Sequence, residues 1–239
     1  MSLDVQAEFE EPPGGRTPPH PWEQVTWEQW NDWRWQMAHR LHSVEDFASF
    51  VNLTPDEIVG LSAPDRFRVD VTPYFASLID PDDPNCPIRK QVIPTAQELI
   101  PFEAAMADSL GEDAHSPVPG LVHRYPDRVL FLVTDICSTY CRYCTRSRIF
   151  GRQHQCFIDS AKWEKALAYI ESNPNIRDVL LSGGDPLTLS DDRIEWLLSR
   201  LKDISHVEIV RIGTKVPTVL PQRITPALVS MLKKYHPLW

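Results

Sequence analysis

The chain lacks a long apolar run, an excess of positive charge and a secretion signal. No stretch of its 239 residues reaches the roughly 18–20 consecutive apolar residues of a membrane-spanning helix. Lys and Arg number 24 against 33 Asp and Glu, and the net charge of −9 argues against a general binder of nucleic acids or anionic membranes. Residues 1–16 have neither a basic start nor an apolar stretch, so we expect a cytoplasmic protein.

The overall composition is that of a folded α/β protein. Hydrophobic residues make up 42% and charged residues 24%, which excludes wholesale disorder and a fibrous protein. The length suits one large domain or two smaller ones. We expect a disordered tail over 1–21, a mainly helical N-terminal region over 22–120 and an α/β region over 121–239.

Helix-capping signals fill the N-terminal region. They predict helices that begin after Thr26 (with Gln29), Ser43 (with Asp46) and Thr54 (before Pro55). Tryptophans recur at helical spacing from Trp27, which predicts a face buried either in the core or in a subunit interface. We also expect a homo-oligomer. A further helix is predicted over 102–110.

Strands and helices alternate in the second region. Strands are predicted over 129–134, 178–181 and 207–212, with helices over 160–170, from Ser190 to Leu201 and from Thr225 to Lys234. Such alternation predicts a parallel sheet with right-handed crossovers, and three units alone make an incomplete barrel or doubly wound sheet. Residues 236–239 resemble the approach to a fourth strand, so we expect a chain truncated at its C-terminus.

The five cysteines do not suit a disulfide framework, because their number is odd and no export signal precedes them. Cys137, Cys141 and Cys144 form a C-x3-C-x2-C trio just after the first predicted strand, where parallel α/β sheets place their ligands. Cys86 and Cys156 stand at no matching spacing, and we expect both to be inert.

A trio of thiolates suits a metal site with soft ligands, either an iron–sulfur cluster or zinc. Structural zinc takes four ligands, usually as two separated pairs, and only one tight trio is present. Three cysteines hold three irons of a [4Fe–4S] cube and leave the fourth iron open to a small molecule. The cluster is the favoured interpretation, with zinc as the alternative.

The trio, with Tyr143 before its last cysteine, resembles the cluster motif of the radical S-adenosylmethionine (SAM) superfamily. After the second predicted strand, the segment Ser-Gly-Gly-Asp-Pro at 182–186 resembles the segment that holds the amino group of SAM in that superfamily. Glycines allow close approach to the backbone, and a carboxylate attracts an ammonium group.

A narrower resemblance covers about residues 22–239. The segments His-Arg-Tyr-Pro-Asp-Arg at 123–128, Val-Glu-Ile-Val-Arg-Ile-Gly at 207–213 and Leu-Pro-Gln-Arg-Ile-Thr-Pro at 220–226 resemble the lysine 2,3-aminomutase family. The resemblance implies a radical SAM partial (β/α) barrel and three cofactors: a [4Fe–4S] cluster, SAM and pyridoxal 5′-phosphate (PLP). It also implies an isomerase that converts L-lysine into L-β-lysine by 2,3-amino migration, with an external electron donor for the cluster.

Matching positions imply roles for individual residues. Those that would meet the cluster and SAM are the iron ligands Cys137, Cys141 and Cys144, the adenine neighbour Tyr143, and Gly183, Gly184 and Asp185 at the amino group of SAM. Those that would meet PLP and substrate are Arg124, Tyr125 and Arg128 at the PLP phosphate and Arg146 at the substrate carboxylate. Two guanidinium groups suit a phosphate dianion, since each can form paired hydrogen bonds.

The sequence departs from the family at its C-terminal end. The family's Schiff-base lysine and the acidic residues at the distal ammonium of the substrate correspond to nothing before Trp239. We therefore expect no turnover by this chain alone, and the alternatives of a glutamate or other amino-acid 2,3-aminomutase stay open. A non-catalytic module that binds zinc or an iron–sulfur cluster is a second alternative.

Overall fold

The computed structural model describes residues 17–64, 68–104, 106–150 and 160–239. Cys156 and most of the tail expected over 1–21 lie outside the described residues. No helix in the described ranges is long and apolar enough to cross a membrane.

Short helices make up the N-terminal region. They are α1 (Trp27–Trp30), α2 (Trp33–Ala38), α3 (Val44–Ala48), α4 (Pro55–Leu61), α5 (Pro73–Ala76) and α6 (Pro87–Val92), with 3-10 helices at Ala96–Leu99 and Asp113–His115. The predicted capping at Thr26, Ser43 and Thr54 is confirmed, since each side chain accepts a hydrogen bond from the backbone three residues on. The tryptophan run is divided between two helices because the Asp32 side chain caps α2.

The helix predicted over 102–110 is absent, and the described residues of that segment form turns. Phe102 and Met106 keep 73% and 72% of their surface exposed, so these apolar side chains are not packed against the rest of the described chain. Isolated helices of this length are marginal in water, because most helical stability in proteins comes from packing.

One four-stranded sheet forms the second region, in the order β1 (Leu121–Tyr125), β2 (Arg128–Thr134), β3 (Asp178–Gly183) and β4 (Ile209–Ile212). Strands β2, β3 and β4 run parallel, as predicted. Strand β1 was not predicted; it pairs antiparallel with β2 through a two-residue turn, Pro126–Asp127. A turn between two runs of strand-forming residues is a hairpin signal, so β1 was recognisable in the sequence.

The long helices α8 (Ser160–Glu171), α9 (Asp191–Lys202) and α11 (Pro226–Lys233) cover one face of this sheet. The short helix α7 (Ser147–Phe150) packs its Phe150 against Leu132, on the other face. The connections after β3 and β4 also contain α10 (Val216–Val219) and 3-10 helices at Pro186–Thr188 and Pro221–Arg223. Phe131, Val133, Val179 and Leu181 bury their side chains against α8, α9 and α11 in one apolar core. Each parallel strand is thus followed by a long helix, which confirms the α/β class and the three β/α units.

The two regions pack against each other. Val219 of α10 belongs to the apolar core of the N-terminal helices, and its carbonyl oxygen accepts a 2.5 Å hydrogen bond from the hydroxyl of Thr72. The guanidinium of Arg223, 1% exposed, lies 4.7 Å from the ring centroid of Trp33. Beyond β4, Leu238 forms a parallel bridge with Val210.

Candidate functional site

The cysteine loop (residues 135–144) leaves the carboxyl end of β2. Cys137, Cys141 and Cys144 are free thiols and are half-buried. The hydroxyl of Tyr140 accepts a 3.3 Å hydrogen bond from the Cys137 amide and donates to the Asp135 carbonyl. Burial raises the pKa of Tyr140, so the phenol stays protonated and can donate at neutral pH.

The N-terminal region holds the backbone of this loop. Three hydrogen bonds do so: Arg40 to the Cys137 carbonyl (2.9 Å), the Tyr140 amide to the Asp70 carbonyl (3.0 Å), and the Arg142 amide to the Gln91 carbonyl (2.8 Å). Arg40 lies 97 residues before Cys137 in the sequence, so no local pattern could have identified this contact. The loop is therefore positioned from outside its own β/α unit.

The donor chemistry of the loop fits an iron–sulfur cluster. Three soft thiols lie in one loop, and the hydroxyl of Ser138 between them is buried with no hydrogen-bond partner among the described residues. No group of three or more His, Cys, Asp or Glu side chains in those ranges is arranged to hold a single metal ion. The cysteines of a [4Fe–4S] cube bind different irons and need not converge on one point, whereas zinc ligands must.

The thiols of Cys137 and Cys144 are protonated in the absence of metal. Burial raises the pKa of both Cys137 and Cys144, and the negative charge of Asp185 adds to the effect at Cys137. Metal ions bind the thiolate, so loading this site must release protons.

The Gly-Gly-Asp segment at the end of β3 contacts the start of the cysteine loop. The Gly184 amide donates a 2.6 Å hydrogen bond to the Thr134 carbonyl. Gly183 has φ +124°, and a Cβ there would lie 2.2 Å from the Thr134 oxygen; at Gly184 a Cβ would lie 2.3 Å from the Ile136 oxygen. Glycine is therefore required at both positions, because the two loops approach each other through bare backbone.

Asp185 is engaged with the loop that follows β4. Its carboxylate accepts four hydrogen bonds, from the Thr214 hydroxyl (2.6 Å) and from the amides of Lys215 (2.7 Å), Leu187 and Val216 (3.1 Å each). Burial raises the pKa of Asp185, and these hydrogen bonds only partly offset the rise. Its side chain therefore ties together the loops after β3 and β4.

Lys215 enters the site from the loop after β4, and sequence reasoning missed it. Its ammonium contacts the Tyr143 hydroxyl (2.6 Å), the Gln91 side-chain oxygen (3.1 Å) and the Cys141 sulfur (3.2 Å). Partial burial lowers the pKa of Lys215, but the hydrogen bonds to Tyr143 and Cys141 raise it by more, so the group stays charged. The carboxyl ends of parallel strands share one edge of the sheet. The position of Lys215 just after the third predicted strand could therefore have placed it near the cysteine loop.

A cavity of about 240 Å³ opens on the sheet face opposite the long helices, where Leu130 and Leu180 point. It brings together all four residues predicted for the phosphate and the substrate carboxylate: Arg124, Tyr125, Arg128 and Arg146. It also contains three charged residues that were not predicted: Arg211, Glu112 and Asp178. The charged side chain of Arg211 inside the third predicted strand was the sequence signal that could have identified it. With four arginines against two carboxylates, the lining has a net positive charge, and it lies next to apolar strand residues.

Each arginine of the cavity has a partner within the described chain. Arg146 forms a two-pronged pair with the Glu112 carboxylate, at 2.6 and 3.0 Å. Arg128 pairs with Asp127 at 3.0 Å, Arg211 pairs with Asp178, and Arg124 donates to the Leu110 carbonyl at 2.9 Å. An anion that binds both prongs of Arg146 must therefore displace the Glu112 carboxylate.

Comparison with known proteins defines the class of this site. The family model of the radical SAM superfamily matches residues 131–238, which include the cysteine loop, the Gly-Gly-Asp segment and the loop after β4. The chain therefore contains a radical SAM domain over residues 131–238.

Within that class, the similar proteins are aminomutases. The chain is 54% identical over 211 residues to L-lysine 2,3-aminomutase of Clostridium subterminale, covering 88% of this chain and 50% of that protein. It is 52% identical over 216 residues to L-lysine 2,3-aminomutase of Acetoanaerobium sticklandii, covering 90% and 52%. Glutamate 2,3-aminomutase of Clostridioides difficile is 42% identical over 215 residues, covering 90% and 50%. The chain spans about half the length of these relatives.

These relationships imply three cofactors. The superfamily implies a [4Fe–4S] cluster and SAM, and the likeness to lysine 2,3-aminomutases implies PLP as well.

Proposed function

We propose that this chain supplies the part of an L-lysine 2,3-aminomutase that binds the [4Fe–4S] cluster, SAM and the PLP phosphate. The observation that carries the proposal is the meeting of the loops after β2, β3 and β4 at one edge of the sheet. Gly184 reaches Thr134 at 2.6 Å, and Lys215 reaches Cys141 at 3.2 Å. Parallel α/β sheets bind their ligands at this edge.

At that edge, we assign the cluster to the thiolates of Cys137, Cys141 and Cys144. Tyr143 is assigned to the adenine of SAM, and its ring is 61% exposed while its hydroxyl is held by Lys215. Asp185 is assigned a positioning role, because four protein donors already use its carboxylate. The backbone at Gly183 and Gly184 is left to receive the amino group of SAM.

The cationic cavity is assigned to PLP and substrate. Arg124, Tyr125 and Arg128 would hold the phosphate dianion, since guanidinium forks match phosphate geometry. Arg146 would hold the substrate carboxylate, which must first displace Glu112. When bound, the reduced cluster and SAM supply the radical, and PLP supplies the carbonyl that carries the migrating nitrogen.

L-lysine is the proposed substrate, because the lysine enzymes described above share 54% and 52% identity with the chain and the glutamate enzyme shares 42%. A separate electron donor, a homo-oligomer and a cytoplasmic location stay predictions.

The test is an anaerobic assay of the complete product of the gene with SAM, PLP, a reductant and either L-lysine or L-glutamate. We expect β-lysine from L-lysine, and none from a Cys141→Ala variant treated in the same way. Turnover of glutamate with no turnover of lysine would contradict the substrate assignment.

A further inference from the structure

We propose that Lys215 is a positioning residue for the iron–sulfur cluster: its ammonium donates a hydrogen bond to the Cys141 thiolate and so favours the reduced cluster. This inference rests on the proposed function, since it requires a cluster on Cys141.

The contacts of Lys215 leave its charge available to the sulfur. Its three partners are the Tyr143 hydroxyl, the Gln91 amide oxygen and the Cys141 sulfur, and two of these three are neutral. Among the described residues, the Lys234 ammonium pairs with Glu195 at 2.9 Å, whereas the Lys215 ammonium forms no ion pair with a carboxylate. Once Cys141 binds iron, its thiolate is the anion nearest to this ammonium.

The position of Lys215 is fixed by the protein around it. The Asp185 carboxylate holds the Lys215 amide at 2.7 Å and the Thr214 hydroxyl at 2.6 Å. Gln91 lies on α6, which is anchored by the buried pair of Arg89 with Glu57 at 2.7 Å. Both ends of the lysine side chain are therefore held, unlike those of a lysine on an open surface.

A cation bonded to a cluster sulfur changes the redox equilibrium in a definite direction. Reduction adds one negative charge to the cluster, so a fixed positive charge stabilises the reduced form more than the oxidised form. Hydrogen bonds to the sulfurs and nearby charge are among the factors that set cluster potentials. Removal of the ammonium is therefore expected to make the cluster harder to reduce.

The experiment is a redox titration of the reconstituted chain, followed by electron paramagnetic resonance of the reduced cluster. Wild type is compared with Lys215→Met, Lys215→Gln, Lys215→Arg and a control, Lys234→Met, which removes one charge from a lysine paired with Glu195. At fixed potential we expect the ratio of reduced to oxidised cluster to fall about tenfold in Lys215→Met, which is a shift of about 59 mV for one electron. Lys215→Gln is expected to shift in the same direction, while Lys215→Arg and Lys234→Met stay within about twofold of wild type.

If Lys215→Met or Lys215→Gln has the same midpoint potential as wild type at equal iron content, the inference is overturned while the proposed function stands. A shift in Lys215→Arg as large as that in Lys215→Met would also overturn it, because the charge would then not be the cause. Lys215→Gln keeps a polar side chain and decides the matter if Lys215→Met does not fold. Failure of the wild-type chain to assemble a cluster would overturn the proposed function and this inference together.

Discussion

The cysteine loop and the cationic cavity are built in opposite ways. In the cysteine loop, the protein fixes the backbone through Arg40, Asp70 and Gln91, while Cys137 and Cys144 are free thiols. In the cavity, the protein holds the charged side chains themselves, by pairing arginines with acidic groups or a carbonyl.

Electrostatics explains this difference. A protonated thiol is neutral, so Cys137 and Cys144 need no counterion before metal binds. A partly buried guanidinium without an anion loses hydration and is costly, so the protein supplies carboxylates until a ligand arrives. We infer that the cluster binds to a loop whose backbone is already held in place. An anion instead binds to the cavity by displacing a protein group that is paired with an arginine.

The largest expected effect is on the cysteines. Cys141→Ala removes one of three iron ligands, so iron bound per chain after anaerobic reconstitution is expected to fall more than tenfold. Cys86→Ala is the matched control: Cys86 is a buried thiol before α6, outside the cysteine loop, and its loss leaves iron content unchanged. Equal iron in both variants would show that the trio does not bind the cluster.

A large loss of stability is expected where the Gly-Gly-Asp segment touches the start of the cysteine loop. In Gly183→Ala the new Cβ would lie 2.2 Å from the Thr134 oxygen, so the free energy of unfolding is expected to fall by about 3 kcal/mol. Gly111→Ala also places alanine at positive φ, but nothing lies within 4 Å of its Cβ, so we expect about 1 kcal/mol. Urea titration measures both values, and equal losses would rule out the close contact between loops.

A moderate effect on stability and iron retention is expected where the N-terminal region holds the cysteine loop through Arg40. Arg40→Met removes the 2.9 Å hydrogen bond to the Cys137 carbonyl, which should cost about 1–2 kcal/mol and speed the loss of iron to a chelator. Arg34→Met, at an exposed arginine on α2, serves as the control. If both variants lose iron at the wild-type rate, the N-terminal region does not hold the cysteine loop.

The smallest effect is expected on the cavity. Glu112→Gln removes the carboxylate that pairs with Arg146 at 2.6 Å, so PLP, measured by equilibrium dialysis, should bind about three- to tenfold more tightly. Asp113→Asn is the control, since Asp113 pairs with Arg148 and does not line the cavity. Weaker binding by Glu112→Gln would mean that Glu112 organises the cavity instead of competing with the anion.

Local signals in the sequence predicted a large part of this structure. Caps at Thr26, Thr54 and Thr225 marked helix starts, and apolar runs marked β2, β3 and β4. The cysteine trio and the Gly-Gly-Asp segment were recognisable because each is contiguous in the chain. The structure brings both to the same edge of the sheet, as the parallel order requires.

Local signals in the sequence could not predict contacts between distant segments. Arg40, Gln91 and Glu112 act on residues 34 to 124 positions away, and neither periodicity nor spacing encodes such pairs. The 102–110 segment was wrongly predicted as a helix because its residues suit one locally, while tertiary packing gives Phe102 and Met106 no partner.

The most direct test of the cluster site is electron paramagnetic resonance of the anaerobically reconstituted, reduced chain before and after addition of SAM. Three thiolate ligands leave one iron open, so we predict the signal of a reduced [4Fe–4S] cluster that changes when SAM binds. A spectrum that SAM does not alter, or a chain that takes up zinc and no iron, would contradict a radical SAM site built on Cys137, Cys141 and Cys144.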